Sequence, residues 1–162
     1  MKYKSLAHMN CSLAQTLEVI GERWTLMILR DAFFGAKRFG QFQKSLGISK
    51  NILTTRLNQL VEEGILEKQP SRDGAHQEYL LTERGYDLQP VLLSIMHWGD
   101  KHKPNPAGDR LIFVERGTGI PIRSMSAVGS NGQPLSGRDI RATAGPGLDE
   151  PTRAQLEQRA RD

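Results

Sequence analysis

Residues 32–61 read AFFGAKRFGQFQKSLGISKNILTTRLNQLV, and this stretch decides the fold. It carries five cations (Lys37, Arg38, Lys44, Lys50 and Arg56) and no acid, although Asp31 and Glu62 bound it on either side. A segment with charge of one sign sets up a one-sign field, the electrostatic footprint of a surface that meets phosphate. Within it, Phe39, Phe42 and Leu46 fall on one side of a first short helix. GIS follows as a tight turn, and Ser49 is placed to cap a second helix running to about Glu63. Leu53, Leu57, Leu60 and Val61 recur at i, i+4, i+7 and i+8, so that face packs inward. The opposite face carries Lys50, Asn51, Thr54, Thr55 and Asn58, and Gly64 ends the helix at a C′ position. Two short helices joined in this way read as a helix–turn–helix.

Upstream, Leu13, Leu17, Ile20 and Trp24 form an apolar ladder at helical spacing, with Ser12 as the expected N-cap and Gly21 interrupting it. RWTLMILRDAFF is apolar nearly all round and predicts a buried helix that ends at Gly35. Downstream, Ile65–Gln69 and Gln77–Leu81 suit the two strands of a hairpin, and PSRDGAH between them holds the turn signal Asp73-Gly74. Thr82 is the expected cap of a further helix, with Leu88, Leu92, Ile95 and Trp98 as its apolar stripe and Val91 widening it. Pro90 either kinks or splits that helix.

After Lys103 the character changes. PNPAG is a linker signature, so the expected division is a domain over 1–103 and an extension over 104–162. In the extension LIFVE (111–115) and IPIRSMSAV (120–128) look like short strands broken by Gly-rich turns. The end is polar, with a weak helix at 152–160. The fold class expected is mainly α (α+β): a winged helix-turn-helix domain with a small β-rich extension at the C-terminus.

Composition narrows the function classes. The net charge of +4 and pI near 9.4 favour anionic partners, though weakly. The basic excess is local, which makes the acid-free stretch more telling than the total. One cysteine excludes an intrachain disulfide. No apolar run approaches the length of a membrane span, and the start MKYKSLAHMNCS lacks a signal-peptide apolar region, so a cytoplasmic protein without a membrane partner is expected. No Walker loop, dinucleotide fingerprint, nucleophile elbow or H-E-x-x-H is present, and no catalytic residue is assigned. The four histidines (His8, His76, His97, His102) are scattered, and no metal or cofactor is expected.

The element order of helix, helix, helix–turn–helix, hairpin and helix is that of a winged helix-turn-helix, and DNA dimensions then assign roles. The major groove admits one α-helix, and the second helix of such a motif enters it with its N-terminal residues toward base edges. Here that end offers Ser49, Lys50 and Asn51, with Thr54 and Thr55 one turn later and Asn58 on the same side. Asn reads adenine bidentately, and Thr uses its hydroxyl or methyl. Lys37, Arg38 and Lys44 are placed for phosphate contacts, and the wing supplies Arg72 and His76. The plainer readings stand beside these. The outward face of the helix can be merely solvated, Arg38 can brace a strand, and Arg56, toward the side of the helix and a further candidate for DNA contact, can instead pair with an acid.

The chain resembles the HxlR family of bacterial transcriptional regulators, relatives of the MarR-type repressors, over roughly residues 11–102. The resemblance rests on Cys11, on VIGERWTLMILRDAFFGAKRFGQFQKSLGISKNILTTRLNQLVEEGILEK, on EYLLTERGYDLQPVL and on HWGDKH. It implies a sequence-specific, double-stranded DNA-binding regulator, a homodimeric repressor on a palindromic operator. The first and last helices of the winged domain would make the dimer interface, with Leu13 and Leu17 on one and Leu88, Leu92, Ile95 and Trp98 on the other. The apolar stripe of the last helix agrees independently, because such a face needs a cover. A two-fold dimer places two reading helices about 34 Å apart. The resemblance also implies a small-molecule or redox signal, with Cys11 as candidate sensor. A thiol at a helix N-terminus has its thiolate favoured by the dipole, and Lys2, Lys4 or His8 stand close in sequence. Cys11 can equally be a small apolar residue of the core. The extension resembles a zinc-ribbon-like fold without its cysteines, and a vestigial fold, a ligand lid and a partner surface all remain open for it. The alternative to a DNA-binding regulator is a winged-helix protein–protein interaction module without DNA binding.

Overall fold

The computed structural model describes residues 4–122 and 125–159. Among them the elements are α1 (Ser12–Ile20), α2 (Arg23–Phe33), α3 (Phe39–Leu46), α4 (Lys50–Glu62), β1 (Leu66–Pro70), β2 (Gln77–Leu81), α5 (Glu83–Tyr86), α6 (Gln89–His102) and α7 (Glu150–Arg159). The class is mainly α with a small β part, as the sequence reading expected. Two compact units form. One holds the residues up to Leu81 together with those from Arg141 onward, and the other is Thr82–Ile140, so the extension expected over 104–162 is divided between them.

The first unit is built on α2, which packs against α3 and α4. Ile28 and Leu29 on α2, Phe42 on α3 and Leu53, Leu57 and Leu60 on α4 are all essentially inaccessible. Burying a large aliphatic or aromatic side chain contributes about 1.5–3 kcal/mol relative to leaving it exposed, so this set dominates the local energetics. The turn between α3 and α4 needs the left-handed backbone at Gly47 (φ 63°), which glycine adopts without a Cβ penalty. Ile48 then plugs into the core before Ser49 opens α4. Gly64 (φ 65°) closes α4 and lets Ile65 and Leu66 enter the core as the wing begins.

β1 and β2 pair antiparallel with Leu66 opposite Leu81 and Lys68 opposite Tyr79. The segment between α2 and α3 lies along the other edge of β2, where the Tyr79 amide donates to the Lys37 carbonyl (2.7 Å) and Arg38 pairs with Glu78 in an isolated bridge.

Two local expectations need correction, and one open alternative is decided. The N-cap of α1 is Cys11, whose backbone is extended, and Ser12 is already helical. No side chain caps this helix. The lead-in is instead held by the Gln15 side chain, which donates to the carbonyls of Ala7 and Met9. In the second unit, Pro90 splits rather than kinks the expected helix. Thr82 caps α5 by accepting from the Gly85 amide (3.1 Å), and α6 restarts with Pro90 in its first turn, where the missing N–H costs nothing. The strands expected at 111–115 and 120–128 are present only as isolated bridges, Val114 to Pro121 and Val128 to Pro134, with residues 123 and 124 outside the described set. The weak C-terminal helix is α7, and residue 160, the last of that expected span, also lies outside the described residues.

Candidate nucleic-acid interface

All twelve residues assigned to DNA contact lie in the first unit. Lys50, Asn51, Thr54, Thr55 and Asn58 are exposed along the flank of α4 opposite its buried leucines. Ser49 caps the helix, its hydroxyl accepting from the Ile52 amide at 3.4 Å. First-turn amides have no intrahelical partner, so the start of α4 can also accept a phosphate oxygen. The Thr55 hydroxyl donates to the Asn51 carbonyl (2.9 Å), which leaves its methyl and lone pairs for a groove.

Lys37, Lys44, Lys50 and Arg72 are exposed and have no ion-pair partner among the described residues. The two other arginines of the set are engaged. Arg38 Nε donates to Glu78 Oε1 at 3.3 Å, a half-exposed pair worth about 0–1 kcal/mol that braces α3 against the wing. Arg56 is half-buried, 3.5 Å from Glu22 Oε2, with its Nη1 donating to Gln59 Oε1 at 2.9 Å. Both plainer readings of these arginines are therefore realised in the structure.

The start of α3 and the wing enclose a hollow of about 490 Å³ lined in part by Arg38, Gln41, Lys68 and His76. Gln41 accepts from the amides of both Lys37 and Arg38 and fixes the entry of the chain into α3. Lys68 is a cation in the lining of this hollow that sequence reasoning did not assign. Strand alternation puts it on the Tyr79 face, where its ammonium sits 5.8 Å from the ring centroid. Its signal was a cation inside a predicted wing strand, with two residue pairs between it and the tip.

At the wing tip, Ser71 is buried and donates through Oγ to Asp73 Oδ1, while its hydroxyl accepts from the His76 amide (3.1 Å). The Asp73 carboxylate also takes the Ala75 amide (3.1 Å). The Ser71 hydroxyl first, and the Ala75 amide second, hold the Asp73 carboxyl below its ordinary value of 3.8. A depressed carboxyl stabilises the fold above its unfolded pKa and loses that contribution as pH falls through the folded one. The tip that presents Arg72 and His76 is thus expected to loosen only below about pH 3.8. Amide shifts of Gly74 and Ala75 followed through an acid titration check this, and Asp73→Asn should erase the transition.

The residues expected at a dimer interface divide by exposure. Leu13 (65% exposed) and Leu17 (43%) stand out from α1. In the second unit, Ile95 (48%) and Trp98 (63%) are exposed, Leu88 is half-buried, and Leu92 is buried within the single chain, with Val91 the exposed neighbour in its place. Cys11 is exposed at the start of α1, where Lys4 and His8 are described and Lys2 lies outside the described residues.

Comparison with known proteins fits this geometry. The family model described as HxlR-like helix-turn-helix matches residues 19–106. An HTH-type transcriptional regulator of Mycobacterium tuberculosis, itself uncharacterized, is 39% identical over 138 residues, 85% of this chain and 87% of its own. The crystal structure of PA1607, a proposed transcription factor, is 42% identical and superposes with a TM-score of 0.80, over 88% of this chain and all of that one. The redox regulator HypR in its oxidized form is 32% identical with a TM-score of 0.52, over 56% of this chain and 96% of its own. The family and these relatives are transcriptional regulators, not enzymes. Nor is any helix among the described residues long and apolar enough to cross a membrane. The chain belongs to the HxlR-like helix-turn-helix family of transcriptional regulators.

Proposed function

We propose that this regulator binds double-stranded DNA in the cytoplasm as a homodimer on a palindromic operator, acts as a repressor, and changes affinity in response to a small-molecule or redox signal. One observation carries the reading: the α4 flank with Lys50, Asn51, Thr54, Thr55 and Asn58 is open, while the opposite flank is fully buried. A helix anchored on one side and polar, cationic and capped on the other is suited to enter a major groove. Lys37, Lys44, Arg72 and Lys68 then meet the phosphates on either side, positioning the helix without reading sequence. Arg38 and Arg56, already engaged inside the protein, orient the elements that make these contacts. The exposed apolar side chains on α1 and on α6 support association of two copies, because isolated faces of this kind are favoured by a cover.

The test is fluorescence anisotropy on genomic fragments and then on the operator they yield. Lys50→Ala is expected to weaken every duplex alike and reduce the salt slope by about one, whereas Asn51→Ala should relax preference at one base pair by about 1–3 kcal/mol. No duplex binding at low salt would overturn the proposal. Partners retained after nuclease treatment would then favour the protein-interaction module. For the signal, diamide should alter the operator affinity of wild type and not of Cys11→Ser. Equal responses remove Cys11 from the mechanism.

A further inference from the structure

A second hollow in the first unit, of about 600 Å³, opens between α1, the start of α2 and the side of α4 that faces away from the reading flank. Its volume falls in the range of small-molecule sites. Three cations border it, Lys4, Arg23 and Arg56, against two acids, Glu18 and Glu22. Both acids are already occupied. Glu18 accepts from the Leu6 amide and the Ser5 hydroxyl, which ties the N-terminal segment to α1. Glu22 Oε2 caps α2 by accepting from the Trp24 amide at 2.9 Å.

The cations, by contrast, keep donors in hand. Arg56 offers five N–H groups. One nitrogen donates to Gln59, and the buried Nε has no hydrogen-bond partner among the described residues, because Glu22 lies 3.5 Å away in an ion pair without hydrogen-bond geometry. Lys4 has no ion-pair partner among the described residues. Leu6 and Leu17 supply apolar wall, and Gly21 leaves backbone where a Cβ would come within 2.4 Å of the Leu17 carbonyl oxygen. Spare guanidinium donors, a second free cation and an apolar wall are the recognition elements for a planar carboxylate on an apolar body.

We propose that this hollow binds a small organic acid, its carboxylate on Arg56 and Lys4, as the small-molecule signal of the regulator. The site deepens the DNA-binding reading and rests on it for its consequence. Arg56 projects from the same helix as Thr54, Thr55 and Asn58, next in sequence to Thr55. A ligand carboxylate that replaces Glu22 at Arg56 cuts the link between α4 and the cap of α2, and the reading flank moves with α4.

The probe is phenylacetate, titrated by calorimetry and ligand-observed NMR into the full chain, with phenylacetamide as its uncharged isostere. Phenylacetate is expected to saturate one site per chain, with phenylacetamide at least about tenfold weaker. Arg56→Gln should bring phenylacetate down to the amide's level. Glu22→Gln should tighten it, because a competing carboxylate is removed; a purely structural role for the Arg56–Glu22 pair predicts no such gain. Lys4→Ala, at an exposed position, should weaken it severalfold and covers the case in which Arg56→Gln does not fold. Equal binding of acid and amide, wild-type affinity in folded Arg56→Gln and Lys4→Ala, or no binding up to about 10 mM would overturn the proposal. In a parallel anisotropy titration, phenylacetate should lower duplex affinity of wild type and leave Arg56→Gln unchanged. Charge-selective phenylacetate binding by a wild type that holds no duplex at all would sink the DNA reading while the acid site stands.

Discussion

Duplex affinity is expected to drop by about three to five powers of ten as salt rises from about 50 to 200 mM. The physical cause is counterion release: each phosphate neutralised by a lysine or arginine frees a condensed cation, and the released ions lose less free energy of dilution as the bath becomes more concentrated. Lys37, Lys44, Lys50 and Arg72 are exposed and without ion-pair partners among the described residues, and Lys68 stands beside them on the wing. The two subunits of the proposed dimer would bring roughly eight to ten such cations, the range for which that loss is observed. Anisotropy at a series of salt concentrations gives the slope of log K against log salt, expected to be steeper than about −5. A flat line would mean that the cationic flank never reaches the backbone of the duplex.

Phe42→Ala is expected to remove about 3–5 kcal/mol of stability, enough to consume a large part of the total for a domain of this size. Phe42 has no accessible surface, and α3 holds no other fully buried side chain. Its loss leaves a cavity where α2, α3 and α4 meet, and the neighbouring leucines have little freedom to refill it. The consequence extends to function. α3 carries the Gly47–Ser49 turn, so a slackened α3 releases the start of α4 before the protein unfolds globally. By comparison, loss of the Ser49 cap through Ser49→Ala should cost about 0.5–2 kcal/mol. Urea unfolding followed by far-ultraviolet circular dichroism measures both. A Phe42→Ala loss under about 1 kcal/mol would show that the three-helix junction repacks easily.

The helix–turn–helix was legible because its signals are local and mutually consistent. The leucine spacing, the Ser49 cap, the GIS turn and the Gly64 stop all lie within a few residues of what they determine, and the structure places each as read. The hairpin was legible for the same reason. What could not be read involves partners far apart in sequence. Arg38 finds Glu78 forty residues on, and Arg56 finds Glu22 across two elements. Nothing in the pattern around either arginine distinguishes a phosphate contact from an internal brace. Leu92 shares a stripe with Ile95 and Trp98 yet is buried in its own chain, because helical spacing locates a face and does not say what covers it. The extension misled for a related reason. LIFVE and IPIRSMSAV have strand composition, but strand propensity reports the fit to a pleated, half-buried surface. Isolated bridges supply no such surface, and Ile112, Val114, Ile120 and Val128 remain exposed.

The pairing of Leu66 with Leu81 and of Lys68 with Tyr79 fixes the parity of the wing. Side chains alternate along a strand, so adding or deleting one residue in β2 would turn Tyr79 to solvent and bring Leu80 into its place. Length can therefore change freely only at the six-residue tip between Pro70 and Gln77, or by matched steps of two in both strands. Diversification of this arm among descendants is channelled accordingly: its reach can be retuned at the point, while the hilt that grips the core must be inherited intact.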